Sequence, residues 1–310
     1  MGKYITKRLL ISIATLFVIL FVLFLMLQFM PGSPFNDEKL TEAQRALLYA
    51  KYGLDKPFFV QFFNYLKNML TGDFGVSYVI NKNYPVFDMV AARLAVSIRI
   101  GFQAMILGSI VGLGLGILAA LNHNTWIDTL CSALSVLGVS VPSYVFALGL
   151  AYFVAYKMGL FGILYNPNTP GASSVLPTIA LSLFTIANIA RFTRSEMIGV
   201  LGSDYMLLAQ SKGVKNWKLI IRHALRNTLI PIITVMGPLL VGLLTGSMVV
   251  EKIFAIPGIG SLMVLAIQNN DYNVVIACAF VYSFLYIITM LIVDILYGVI
   301  DPRIRVAKEG

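Results

Sequence analysis

The sequence of 310 residues has few of the side chains that soluble enzymes use for catalysis or metal binding. It contains two cysteines, two histidines and 12% charged residues, whereas 58% of its residues are hydrophobic. Cys131 and Cys278 both lie inside apolar runs, which favours neither a disulfide framework nor a metal-ligand cluster. His123 and His223 are far apart and lack a cysteine or carboxylate at metal-ligand spacing. This composition excludes a soluble domain and indicates a polytopic membrane protein.

Nucleotide-binding motifs are also missing. No G-x-x-x-x-G-K-[ST] sequence is present, so we expect no phosphate-binding loop and no ATP hydrolysis by this chain. Gly112, Gly114 and Gly116 match part of a dinucleotide fingerprint, but they lie in an apolar run that no strand precedes. The net charge of +9 comes from basic residues that cluster beside apolar runs, as the positive-inside rule expects. We therefore predict no nucleic-acid partner.

Six apolar runs are long enough to cross a bilayer, whose core requires roughly 20 helical residues. They cover residues 9–29, 96–121, 130–155, 175–190, 232–250 and 274–299. The first run is longer than the apolar part of a signal peptide and has no small-residue cleavage site after it, so we expect it to be retained. The sequence thus predicts an all-α membrane protein with six transmembrane helices.

The basic residues predict the orientation of these spans. With a cytoplasmic N-terminus, the basic loop 191–231 and the tail 301–310 both fall on the cytoplasmic side. Residues 156–174, which carry a single lysine, fall outside. The resulting division is 1–30 for the N-terminus and first span, 31–95 for an extracytoplasmic helical loop, 96–300 for a core, and 301–310 for a cytoplasmic tail.

The extracytoplasmic loop 31–95 is predicted to contain two helices. Residues 40–52 form an amphipathic pattern that stops at Gly53, and residues 57–70 form a second one that stops at Gly72. Their charges are mixed in sign. The surface is therefore either a solvated cap on the membrane or a surface that receives a soluble partner, and the sequence leaves both open.

The segment 191–231 is the longest polar stretch between two apolar runs. It contains seven Lys or Arg residues against two acidic ones. Ser203 is a candidate N-cap for a short helix that Gly213 would end in the left-handed conformation, and Asn216 is a candidate cap for a second helix. A loop of this length is more than a connector, and it predicts a docking segment.

Glycines recur every fourth residue in two of the predicted spans. Gly108, Gly112 and Gly116 do so in the second span, and Gly242 and Gly246 in the fifth. Small residues at this spacing let two helices approach closely in lipid. Packing within the chain and packing against another subunit remain equally open.

Two prolines and one carboxylate stand out within the spans. Pro142 and Pro238 remove backbone donors and are expected to kink the third and fifth spans. Asp294 lies about five residues from the end of the last span, which favours structural pairing over ion coupling. A secondary transporter would need intramembrane charges, and a membrane enzyme would need paired catalytic groups. Neither is apparent.

Several segments in the same order resemble the permease subunits of type I ABC importers, and specifically the first of the two permeases in the oligopeptide and dipeptide group. The matching segments are 52–57 (YGLDKP), 72–77 (GDFGVS), the basic loop, 251–260 (EKIFAIPGIG), 293–297 (VDILY) and 301–305 (DPRIR). The resemblance implies a fold with one N-terminal helix plus a five-helix core. It also implies that Pro257, Gly258, Gly260, Asp294, Asp301 and Arg303 have structural or gating roles.

The basic loop resembles the cytoplasmic coupling segment of these permeases, which has a Glu-Ala-Ala pattern followed by Gly. Only Ala209 and Gly213 match that general pattern here, because Leu207 and Leu208 occupy its first two positions. The segments 209–213 (AQSKG) and 222–227 (RHALRN) are similar to the variant of the peptide subgroup. The resemblance assigns contact with the ATPase to Tyr205, Leu208, Ala209, Gln210, Ser211, Lys212 and Gly213.

The resemblance further implies an ATP-driven importer of di- or oligopeptides in which this chain forms the pathway and catalyses nothing. A permissive peptide route would be lined by weakly polar groups, and the candidates are Gln103, Ser140, Ser143, Asn188, Thr245 and Ser247. The alternative substrates are nickel, glutathione or an oligosaccharide, since related permeases share the motifs.

The implied partners are a second permease, two ATPases, and an extracellular or periplasmic peptide-binding protein, all at a prokaryotic cell membrane. The chain itself is expected to hold no cofactor, because ATP and Mg would be bound by the ATPases. Both termini are expected in the cytoplasm.

Overall fold

The computed structural model describes residues 2–29 and 41–300. In these residues the regular structure is helical, and a single antiparallel bridge joins Val76 and Pro85. The contacts divide the chain into two units. The N-terminal unit comprises Gly2–Val96 and Pro257–Ile287, and the central unit comprises Ser97–Ile256 and the chain from Ile288 onwards.

The α-helices are numbered in chain order. They are α1 (Gly2–Gln28), α2 (Glu42–Tyr52), α3 (Phe58–Leu70), α4 (Val86–Leu121), α5 (Trp126–Ser140), α6 (Ser143–Leu150), α7 (Pro170–Ser173), α8 (Val175–Leu201), α9 (Asp204–Ser211), α10 (Asn216–Lys218), α11 (Arg226–Leu244), α12 (Met248–Ile253), α13 (Ile259–Gln268) and α14 (Tyr272–Ile300). Two π-helical segments, Ala151–Lys157 and Leu219–Leu225, continue α6 and lead into α11.

The N-terminal unit is built on an aromatic core. Phe62 of α3 is buried, and its ring centroid lies 5.4 Å from that of Phe21 and 5.6 Å from that of Phe24, both on α1. Both pairs meet edge to face, the geometry that the quadrupoles of aromatic rings favour. The same core includes Ile259 and Val274, so α13 and the start of α14 belong to it.

The two helices predicted in the loop 31–95 are confirmed as α2 and α3. Thr41 and Gln44 form a capping box, in which the Thr41 hydroxyl accepts from the Gln44 N–H and the Gln44 side chain accepts from the Thr41 N–H. Gly53 ends α2 with a φ of 70°, a left-handed conformation that glycine adopts without steric cost. The sequence thus predicted where α2 ends, whereas the capping box at its start was not identified from the sequence.

The central unit packs its helices around α8. Glycines of α4 lie against this helix so closely that a Cβ on Gly108 would come within 2.6 Å of Thr185, and one on Gly116 within 2.5 Å of Thr193. The first glycine repeat therefore packs two helices of the same chain. In the second repeat, a Cβ on Gly242 would meet nothing within 4 Å.

Five helical stretches are long and apolar enough to cross a membrane, and a bent pair makes up to six. The five stretches are Thr6–Leu27, Val86–Leu121, Pro170–Leu201, Asn216–Ile253 and Tyr272–Ile295. The bent pair joins Trp126–Ser140 to Ser143–Lys157 at an angle of 100°. Pro142 produces the break, because the residue before a proline is driven out of the helical region, and Val141 is extended at φ −79°, ψ 120°.

The kink predicted at Pro238 is not a break in the helix. Helix α11 continues through both Pro231 and Pro238 and ends only at Leu244. The long stretch Asn216–Ile253 is interrupted instead at residues 245–247, where Gly246 has a φ of 76°. The C-terminal end of α8 also differs from the prediction. The span was expected to end at residue 190, but α8 continues to Leu201 and includes the first part of the basic loop.

Candidate functional site

The polar segment between α8 and α11 contains the short helix α9, which has Ser203 at its N-cap and the left-handed Gly213 just after its end. Ser203 occupies the N-cap position of α9, although its hydroxyl donates to the Val200 carbonyl (2.6 Å) and makes no capping bond. After α9, Gly213 has a φ of 75° and its N–H donates to the Gln210 carbonyl (2.9 Å). The predicted helix and its glycine end are thus confirmed, whereas Lys215, and not Asn216, occupies the N-cap position of α10.

Helix α9 has one buried face and one exposed face. Met206 is buried in a cluster with Ala120 of α4, Met197 of α8, and Leu219 and Ala224 of the second π-helical segment. On the opposite face, side chains of Leu207 and Leu208 are 65% and 56% exposed. From the start of α9 to the glycine that follows it, the exposed residues are Asp204, Tyr205, Leu207, Leu208, Gln210, Ser211, Lys212 and Gly213.

Because Met206 is embedded among three other elements, α9 is held by several helices of the central unit at once. A hydrogen bond adds to this hold, since the Asn227 amide donates to the Tyr205 hydroxyl at 3.0 Å and so joins α9 to α11. Ala209 is half-buried against the same cluster. Of the residues assigned to ATPase contact, Ala209 therefore faces its own chain in part, and Leu208 is more accessible.

A charged cluster ties together the polar ends of α5 and α8. The Arg194 guanidinium donates to both oxygens of Asp128, with Nε at 2.6 Å from Oδ1 and a terminal nitrogen at 2.7 Å from Oδ2. The backbone N–H of Asn124 donates to Oδ2 at 3.0 Å, and His123 Nδ1 lies 3.1 Å from the same oxygen. This fork-shaped pair is the strong, orienting form of an ion pair. The contact between His123 and Asp128 joins residues that the spacing of charged groups in the sequence had not paired.

The six predicted lining residues lie on several helices of the central unit. Gln103 accepts a hydrogen bond from Thr178 at 3.1 Å, across α4 and α8. Asn188 donates to the Phe184 carbonyl of its own helix at 2.8 Å, and Thr245 donates to the Val241 carbonyl at 3.0 Å.

The remaining lining candidates stand at breaks in helices. Ser140 and Ser143 flank the break between α5 and α6, with Ser140 exposed and Ser143 half-buried. Ser247 is the N-cap of α12 and accepts from the Val250 N–H at 3.5 Å. A role for these six side chains in a pathway remains a prediction.

The predicted gating residues fall in two places. Gly258 is the N-cap residue of α13, next to Pro257, and Gly260 lies in its first turn, with both glycines buried. Asp294 is half-buried in α14. Asp301 and Arg303 lie outside the residues that the structure describes.

Two buried carboxylates were not singled out from the sequence. Glu251 is 3% exposed and accepts a hydrogen bond from the Ser97 hydroxyl at 2.8 Å, within the central unit. Asp271 is 0% exposed in the N-terminal unit, where its side chain accepts four hydrogen bonds. An acidic residue directly before a long apolar helix is a capping signal that could have identified Asp271.

Among residues 2–29 and 41–300, no three His, Cys, Asp or Glu side chains come together as metal ligands. The feature that the sequence singled out most strongly, α9, presents exposed leucines while its other face is fixed in the central unit.

Comparison with known proteins assigns the family. The profile of the family described as "Binding-protein-dependent transport system inner membrane component" matches residues 112–306, and that of its N-terminal component matches residues 1–100. The chain is 45% identical to the dipeptide transport system permease protein DppB of Lactococcus lactis, over 98% of this chain and 100% of that protein. It is 42% identical to DppB of Bacillus subtilis over the full length of both. The oligopeptide transport system permease protein OppB of Salmonella typhimurium is 42% identical, over 98% of this chain and all of that protein.

Solved structures share the fold at low identity. The MetNI methionine ABC transporter, in an inward-facing conformation, matches with a TM-score of 0.57 and 14% identity, over 69% of this chain and 96% of that chain. An amino acid ABC transporter matches with a TM-score of 0.54 and 16% identity, over 68% and 94%. The expected type I importer permease fold is confirmed. This multi-pass membrane protein belongs to the family of binding-protein-dependent transport system inner membrane components.

Proposed function

We propose that this chain is a pathway subunit of an ATP-driven, binding-protein-dependent importer of di- and oligopeptides. The observation that carries the proposal is the 40–45% identity to dipeptide and oligopeptide permeases over essentially the whole length of both chains. The substrate class is inferred from these relatives, whereas the coupling mechanism is inferred from the contacts of α9 in the structure. The chain itself would hydrolyse nothing.

Helix α9 would act as the coupling element. Its exposed leucines suit a hydrophobic cleft on an ATPase, because the fully buried core of a protein interface is more apolar than its rim. Its buried face, centred on Met206, is fixed to α4, to α8 and to the π-helical segment that precedes α11. A displacement of α9 would therefore move these helices together as a body, which is how alternating access commonly occurs in transporters.

The assembly would contain a second permease, two ATPases that bind ATP and Mg, and a peptide-binding protein outside a prokaryotic cell membrane. Both termini of this chain and α9 would face the cytoplasm, where the ATPases are. The seven basic residues of the segment 191–231 support that side.

The deciding experiment is uptake by the complete complex in proteoliposomes that contain ATP. Labelled di- and tripeptides should accumulate, and accumulation should require both the binding protein and hydrolysable ATP. Nickel, glutathione and an oligosaccharide are the comparison substrates, each supplied with the same complex. ATP-dependent accumulation of one of these three, with none for peptides, would refute the peptide assignment.

A further inference from the structure

Helix α3 of the N-terminal unit exposes large apolar side chains, although it belongs to a segment that the sequence places outside the membrane. Phe59, Phe63 and Leu70 are 61%, 56% and 80% exposed. Because successive residues of a helix are rotated by about 100°, all three project from one strip of α3. A contiguous apolar strip on a folded protein marks contact with another molecule or with lipid.

The contacts between α3 and α1 give the depth of α3 in the membrane. The ring centroid of Phe62 lies 5.5 Å from that of Phe17 and 5.4 Å from that of Phe21, both in the membrane-length stretch Thr6–Leu27. Along the helix axis, Phe21 and Phe17 lie about 9 and 15 Å before the end of that stretch. Since half of the hydrocarbon core is about 15 Å thick, the middle of α3 lies at the level of the acyl chains.

The opposite edge of α3 is polar. Gln61, Asn64 and Asn68 project from that edge and line a cavity of the N-terminal unit. The other walls of the cavity include the exposed side chains of Lys51 and Lys56, so the cavity is open to solvent. One edge of α3 therefore faces water and the other is apolar, which is the distribution of a helix at the boundary between water and lipid.

Charge distinguishes α3 from its neighbour α2. Helix α3 carries one charged residue, Lys67, whose long side chain can reach from apolar surroundings to the membrane boundary. Helix α2 is of similar length, carries Glu42, Arg45 and Lys51, and buries none of its residues. A lipid environment therefore suits α3, whereas α2 has the composition of a helix in water.

We propose that α3 is immersed in the leaflet at the C-terminal end of α1, where Phe59, Phe63 and Leu70 contact lipid acyl chains. Lipid is the partner because the apolar strip continues the exposed apolar surface of α1, on which Phe17 contacts Phe62. Helix α3 then forms a wall between the lipid and the solvent-filled cavity. This inference is independent of the transported substrate.

The test is the accessibility of a spin label on α3 in the complete complex in lipid nanodiscs. Single cysteines for labelling are introduced as Phe63→Cys and Phe59→Cys on the apolar strip. Asn68→Cys is the matched control, because Asn68 is exposed on the polar edge of the same helix. The two native cysteines, which are buried, and the cysteines of the partner subunits are replaced beforehand.

Two relaxing agents distinguish lipid from water, since oxygen concentrates in the acyl-chain region and a neutral nickel chelate stays in water. Labels at positions 63 and 59 should collide severalfold more with oxygen than with the chelate. The label at position 68 should show the reverse preference. Each labelled complex is first checked for normal ATP hydrolysis, which excludes misassembled samples.

Two results would overturn the proposal. A preference for the chelate at positions 63 and 59 would show that the strip faces water, as on a solvated cap. Low accessibility to both agents would show that a protein covers the strip, either a partner subunit or the binding protein. Adding the binding protein to the sample separates these last two cases.

A second measurement needs no label. Phe63→Asp should lower the amount of chain in the membrane severalfold, because the new carboxylate would have to leave water for lipid. Asn68→Asp places the same group on the polar edge and should leave the amount unchanged. Equal amounts of the two variants would contradict the immersion of α3, whatever substrate the complex transports.

Discussion

The carboxylate of Asp271 accepts a hydrogen bond of 2.5 Å from the hydroxyl of Ser77, which lies 194 residues earlier in the chain. The same carboxylate accepts from the backbone N–H groups of Tyr78, Val79 and Ile80 at 3.0, 3.0 and 3.1 Å. Asp271 and Ser77 are both buried completely. Four donors therefore bind one buried side chain and fix the 77–80 turn to the start of α14.

Removing that acceptor should destabilise the N-terminal unit. Asp271→Ala leaves four donors without their partner, two of them buried and two part-buried, and we expect a loss on the order of 3 kcal/mol in the free energy of unfolding. Thermal unfolding of the purified chain in detergent measures it. Asp55→Ala, at an exposed aspartate of the same unit, is the control. Equal melting temperatures for the two variants would show that the four hydrogen bonds are not needed.

Gly242, near the end of α11, and Gly246, just after it, offer a comparison of two alanine substitutions in different backbone conformations. An alanine at position 246 would have to adopt a φ of 76° and would place its Cβ against Oε1 of buried Glu251. We expect Gly246→Ala to cost at least about 2 kcal/mol, from the left-handed backbone and the displaced carboxylate. Gly242→Ala meets nothing within 4 Å in a helix and should be neutral or slightly stabilising. The melting temperatures of both variants test this, and a similar loss in each would contradict the explanation.

Coupling through α9 is tested by substitutions that leave the rest of the chain untouched. Leu208→Asp places a charge on the exposed face and should abolish stimulation of ATP hydrolysis by the loaded binding protein, while the chain still inserts. Gly213→Val should cost about 1 kcal/mol or more locally, because its φ of 75° disfavours a β-branched residue. Gly199→Ala is the control, since neither glycine has a neighbour within 4 Å of a Cβ and only Gly213 has a positive φ.

The measurement is ATPase activity of the reconstituted complex with and without the loaded binding protein. Normal stimulation in both Leu208→Asp and Gly213→Val would exclude α9 as the transmission element. Loss in Gly199→Ala as well would point to a general defect in assembly.

Topology is tested at the two ends of the stretch Asn216–Ile253. Cysteines at positions 216 and 252 are suitable, because Asn216 and Lys252 are exposed, whereas Ile256 nearby is buried. In intact cells, an impermeant thiol reagent should label the cysteine at 252 and spare that at 216. The two native cysteines are buried and would be replaced in the parent chain. Labelling of both positions from outside would refute the six-span arrangement.

Local signals in the sequence were sufficient to place many elements of the fold. The left-handed glycines Gly53 and Gly213 ended helices where their residue type predicted. The apolar runs marked the membrane-length stretches, because length and hydropathy alone determine whether a helix can span a bilayer. The resemblance to peptide permeases was confirmed by relatives that match over the whole chain.

Features that depend on distant partners could not be predicted. Pro142 indicated a kink, but the 100° bend also depends on how both arms pack, and α5 and α6 each pack on α8. Helix α13 lies where a loop was expected, because ten apolar residues are too few to mark a span. The burial of Glu251 and of Asp271 arises from segments that meet only after folding.

The glycines of α4 also limit how that helix can move past α8. Gly108, Gly112 and Gly116 repeat every four residues, which corresponds to about 6 Å of helix rise. Sliding by a smaller step would move Thr185 and Thr193, which lie directly over Gly108 and Gly116, out of register with the glycines and against neighbouring side chains of α4. The glycine spacing therefore favours discrete registers about 6 Å apart over gradual shear along this contact.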